Sequence, residues 1–97
     1  MTEFGIGLAA SANEWARGMW NMLNDGGVWG IPRCGLMYRK DEEAMKFVCF
    51  ERMNWERGVP MTREELREAQ DSDHANLVVV FKAIGVEVVD DSFAIRI

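Results

Sequence analysis

From Cys34 to Phe50 the apolar residues fall on alternate positions, and the parity of that alternation changes across a polar turn. Cys34, Leu36 and Tyr38 alternate with Arg33, Gly35, Met37 and Arg39. Beyond Lys40-Asp41-Glu42-Glu43, the residues Met45, Phe47 and Cys49 alternate with Lys46, Val48 and Phe50. A period of two is the signature of strands that bury one face. Two such strands share a buried face only if even-numbered residues oppose odd-numbered ones. Loops of two or four residues meet that condition, whereas a three-residue loop turns one face outward. Asp41-Glu42 lacks the chemistry of a two-residue primed turn, so the four-residue loop is expected. The two-residue alternative would set Cys34 opposite Cys49 at disulfide distance.

On either side of this hairpin the period lengthens. Leu8, Ala12, Trp15, Met19, Met22 and Leu23 trace one face of a helix that stops at Asn24-Asp25-Gly26-Gly27. Trp15 belongs to that stripe, and Trp20, about 140° round the helix from it, is expected at a margin or exposed. Thr62 with Glu65 three residues later forms a capping box. The helix it opens presents Leu66, Ala69, Asp73, Leu77, Val80, Phe81 and Ile84 before Gly85. Asp73 interrupts the stripe, which predicts either a break near Asp71-Ser72-Asp73 or first turns that project past the core. Val86–Val89 and Phe93–Ile97, around Asp90-Asp91-Ser92, read as a second hairpin.

The expected fold is therefore α+β, a single domain over residues 1–97 in the order helix, hairpin, helix, hairpin. About four antiparallel strands form a sheet, and both helices pack on one face of it. Four glycines and a proline crowd the ten residues from Gly26 to Gly35, so that segment is an extended edge or a shaped loop.

Composition limits the function. Eleven Lys and Arg stand against sixteen Asp and Glu, a net charge of −5, which disfavours direct gripping of nucleic-acid phosphate. No apolar run is long enough for a membrane span and no export signal precedes one, which points to the cytoplasm. With two cysteines and one histidine, His74, the chain lacks the spacing of a zinc site, a nucleotide loop or a nucleophile motif, and no cofactor is implied. A non-enzymatic role is expected. A hydrolase or transferase built on a carboxylate pair is the enzymatic alternative.

The residues best suited to recognition are acidic and aromatic. Glu64, Glu68 and Asp71 recur at helical spacing as a negative stripe, diluted by Arg63 and Arg67, and the hairpin turn adds a second acidic spot. Such a stripe is either a solvated face or a surface that occupies the basic groove of a nucleic-acid-binding protein. Trp55 in a polar loop, and Trp29 with Arg33 in the glycine-rich segment, are candidate anchors. Phe93, Ile95 and Ile97 form an apolar strand through which two copies could pair as a homodimer.

In size and character the whole chain resembles small acidic accessory proteins of bacteriophages and prophages, a group that includes anti-CRISPR proteins. The resemblance implies a stoichiometric inhibitor in the host cytoplasm. Its partner would be a CRISPR effector or another nucleic-acid-binding protein, whose binding surface it occludes.

Overall fold

The computed structural model describes residues 2–54 and 60–92, with side chains from Ser11 onward. The order of elements is α1 (Thr2–Met22), β1 (Val28–Ile31), β2 (Leu36–Asp41), β3 (Lys46–Arg52), α2 (Arg63–Lys82) and β4 (Glu87–Asp90). The fold is α+β, with one sheet ordered β1-β2-β3-β4.

The hairpin expected from the alternation is β2–β3, joined by the four residues Glu42 to Met45 and paired as Asp41↔Lys46, Lys40↔Phe47 and Tyr38↔Cys49. From Tyr38 to Asp41 even residues oppose odd ones, as a shared face requires, and Leu36, Tyr38, Lys40, Phe47 and Cys49 are all buried. Cys34 lies in the turn before β2 rather than opposite Cys49, and both thiols are free. The glycine-rich segment supplies β1, an antiparallel edge strand whose Gly30 pairs with Met37. A Cβ on Gly30 would stand 2.5 Å from the Met37 sulfur. Glycine is needed at 30 because the same Cβ would also stand 2.9 Å from the Leu36 carbonyl oxygen, which is backbone and cannot swing aside as the methionine can.

The sheet is mixed, not antiparallel throughout. β4 runs parallel to β3, with Phe47↔Val88 and Val48↔Val89 in register. The reason is the connection. A 20-residue helix spans about 30 Å and carries the chain back along the sheet, so the following strand enters in the direction of the preceding one. The order is thus helix, three-strand meander, helix, strand. The expected second arm of the last hairpin, Phe93–Ile97, lies outside the described residues.

One cluster forms the core. Ala16 and Trp20 of α1, together with Leu66, Ala69, Leu77 and Phe81 of α2, meet Leu36, Tyr38, Phe47, Cys49 and Val88 of the sheet. Here α1 is turned from the expected phase: Trp20 is 8% exposed and Trp15 46%. Small Ala16 lets the helix approach, and Trp20 packs edge-on against Phe47 with ring centroids 5.1 Å apart. Trp15 still touches Trp29 and Phe81 with part of its ring.

Buried Lys40 fixes that phase. It stands at a core position of β2, 3% exposed, and donates to the carbonyls of Trp20 at 2.6 Å and Leu23 at 2.8 Å. These are among the carbonyls that the end of a helix leaves unpaired, and the ammonium complements the negative end of the helix. It also lies 4.3 Å from the centre of the Trp20 ring.

Candidate partner-binding face

The capping box read from Thr62 and Glu65 is present: Glu65 N–H donates to Thr62 Oγ1 at 3.1 Å, and Thr62 N–H to Glu65 Oε1 at 3.0 Å. These bonds hold the Glu65 carboxyl below its ordinary pKa. From that start α2 runs unbroken through Asp71-Ser72-Asp73. Neither expected outcome holds: the helix does not break, and its first turns do not project past the core, since Leu66 and Ala69 are buried. The interruption in the stripe is filled by partners of matching polarity.

Those partners come from the turn before β2 and from the ends of the strands. Gln70 Nε2 donates to the carbonyls of Cys34 at 2.9 Å and Met53 at 2.8 Å. Asp73 accepts from Arg33 Nη2 at 2.8 Å and from the Cys34 thiol at 3.4 Å. The Tyr38 hydroxyl lies 2.8 Å from His74 Nδ1. Arg52 bridges Asp71 on α2 and Asp90 on β4. A shift in register between Met37 and Tyr38 turns Arg52 to the helix-covered side, where parity alone would place it outside. Gly35, at φ +68°, permits the tight turn: a Cβ there would collide with Met53 at 2.1 Å.

The titrations of this row follow from burial. Burial pushes the Cys34 thiol up to about 11, helped by Asp73, and the Cys49 thiol likewise to about 11 with Asp90 adding to it. Both are thiols at neutral pH and weak nucleophiles. Burial raises Tyr38 well above its usual value, so it stays a neutral hydroxyl in its hydrogen bond with His74 Nδ1. Burial also lowers His74 below 6.5. Burial opposes the charge on Asp90, but bonds from Ser92 and Arg52 outweigh it and hold the carboxyl low.

With one side of α2 committed to the sheet, the other is presented rigidly. Glu64, Glu68 and Asp71 are all exposed on one face. Glu64 and Glu68 have no ion-pair partner among the described residues, while Asp71 shares Arg52 and keeps 64% of its side chain exposed. Arg33 is exposed but engaged by Asp73. Trp29 is half-buried, its ring packed against Trp15, Tyr38, Phe47 and Phe81. It therefore belongs to the aromatic core, with Nε1 buried and unpaired among the described residues. Trp55 lies outside the described residues.

Sequence reading did not single out Arg52 or Gln70, placed Lys40 in the polar turn rather than the core, took Asp73 as an interruption of the helical stripe, and found no zinc or nucleophile spacing around His74. The available signal was polarity on an apolar stripe, at Gln70 and Asp73 together. Among the described residues no three His, Cys, Asp or Glu side chains converge as metal ligands, and no helix is long and apolar enough to cross a membrane. Comparison with protein-family models, curated proteins and solved structures finds no match to this chain.

Proposed function

We propose that this chain is a protein-binding module whose outward α2 face, carrying Glu64, Glu68 and Asp71, docks on a basic surface of a partner and occludes it. The observation that carries this reading is the exposure of all three acids on one side of a helix whose other side is hydrogen-bonded to the turn before β2 and to Tyr38 of β2. A pre-ordered row of carboxylates loses little conformational freedom on docking, and a net charge of −5 steers it towards basic partners. The natural partner is a nucleic-acid-binding protein whose groove is shaped for phosphate. A phage-type inhibitor of a CRISPR effector in the host cytoplasm is one embodiment, matching the size and charge of that group.

The reading is tested by affinity capture from bacterial lysate at low salt with the wild type and with E64K/E68K. The wild type should retain a nucleic-acid-binding protein in stoichiometric amount, release it as salt rises, and compete with that protein's nucleic acid. E64K/E68K should retain none while melting at the wild-type temperature. A captured protein held equally by both chains would refute the role of this face.

A further inference from the structure

We propose that the free edge of β4 is a second recognition site, which adds an extended basic segment of a partner protein to the sheet as a further strand. β4 is the last strand on its side of the sheet. Glu87 N–H donates to the Met45 carbonyl at 3.1 Å and Asp91 N–H to the Cys49 carbonyl at 2.8 Å, so the odd-numbered residues bond to β3. Successive residues of a strand turn their backbone groups to opposite sides. Val88 and Asp90 therefore direct N–H and carbonyl away from the sheet, where they have no backbone partner among the described residues. Open donors and acceptors on alternate residues are the template for another extended chain.

Beside this edge lies a groove of about 480 Å³ between α2 and β4, lined by Val78 and Lys82 of the helix and by Val86, Glu87 and Val88. Val88 is buried under α2. The side chain that an added strand sets opposite Val88 enters the same groove, whose valines favour an aliphatic residue. Lys82 on the helix wall keeps cations out of it.

The other side of β4 sets the charge of the occupant. Glu87 and Asp91 flank Val89 there, both exposed and without an ion-pair partner among the described residues. An added strand meets them with two side chains four residues apart, and Lys or Arg at both positions complements them. A second copy of β4 does not. Paired antiparallel through its outward residues, Val88 with Asp90, it would set Glu87 against Asp91 twice. The occupant is thus a strand of another protein, with cation, apolar residue and cation on one side and an aliphatic residue on the other. Val78 lies seven residues beyond Asp71 on the same side of α2, so one basic partner can reach both the groove and the acidic face. The groove itself rests on the edge of β4 and not on those acids.

Nuclear magnetic resonance on the full chain in about 0.15 M salt tests this. In the free chain the amides of Val88 and Asp90 should exchange with solvent faster than those of Glu87 and Val89. The probe is the peptide Thr-Lys-Thr-Val-Ile-Lys-Thr, blocked at both ends. It should protect Val88 and Asp90 and shift the signals of Val78 and Val86. The same peptide N-methylated at its isoleucine, which removes a donor facing β4, should bind about tenfold more weakly. Glu87→Lys should raise the dissociation constant about fivefold. E64K/E68K, about 15 Å or more from Val78 along the helix, should change it less than about twofold. Val88 and Asp90 amides already protected in the free chain would show that the chain itself covers this edge, and would overturn the proposal. So would binding that Glu87→Lys leaves unchanged, or no binding at millimolar peptide.

Discussion

Asp73 stands where helical periodicity calls for an apolar side chain, and its neighbour on the same face, Gln70, is polar too. Both answer polar groups from the turn before β2: the Arg33 guanidinium, the Cys34 thiol, and the carbonyls of Cys34 and Met53. Gln70→Leu keeps the volume but strands two carbonyls, one of them in a buried contact. It should cost about 2 kcal/mol in denaturant unfolding, the penalty of buried groups left unpaired. His74 gives a second test at this scale. Its Nδ1 is hydrogen-bonded with the Tyr38 hydroxyl, while Asp71 and Asp90 favour its charge and burial with Arg52 opposes it. Because burial wins, the folded imidazole resists protonation more than the unfolded one. Its contribution to stability is therefore full above pH 6.5 and is lost as the pH falls from there through the lowered folded value. His74→Gln should flatten the unfolding free energy between pH 6.5 and the carboxylate range. An unchanged slope would mean that another group titrates there.

At the level of elements, local rules were legible and phase was not. The capping box at Thr62, the alternation of β2 and β3 and the four-residue loop all rest on residues close in sequence, and all are present. The phase of α1 held only in part: Met19 and Leu23 of the expected stripe pack against the core, but Met22 and much of Trp15 turn out, because they are as apolar as Ala16 and Trp20. What selects between them is Lys40, twenty residues from Trp20, reaching a helix end that no local pattern announces. The exit of Arg52 from its parity failed for a similar reason, since a bulge leaves no fixed mark in sequence. The hairpin loop itself carries strain: Met45 adopts φ 54°, the left-handed region that glycine favours. Met45→Gly should therefore raise stability by about 1 kcal/mol despite the added freedom of the unfolded chain. Equilibrium unfolding measures it, and a loss of stability would show that the exposed methionine contributes through packing instead.

For the whole molecule, the α+β class followed from counting helical and alternating stretches, but the direction of β4 did not. A strand that runs antiparallel to β3 and a crossover that runs parallel to it satisfy the same local pattern. The choice depends on which edge α2 returns the chain to, a property of helix length and packing. The site was legible to the extent that charge spacing on α2 is, because exposed acids at helical intervals need no partner to be placed. What spacing alone could not separate was the α2 face from the acidic hairpin turn, since both contribute to the net charge of −5. Reversing two acids distinguishes them. E64K/E68K and E42K/E43K each add two charges per substitution and bring the net charge from −5 to −1 alike. If recognition depends only on the overall field, both should slow association equally and equally less at high salt. If α2 is the docking face, E42K/E43K should lower only the association rate at low salt. E64K/E68K should in addition speed dissociation, because its lost contacts are local. Stopped-flow association and dissociation rates at two salt concentrations decide between these, and equal dissociation rates in the two variants would move the binding surface off α2.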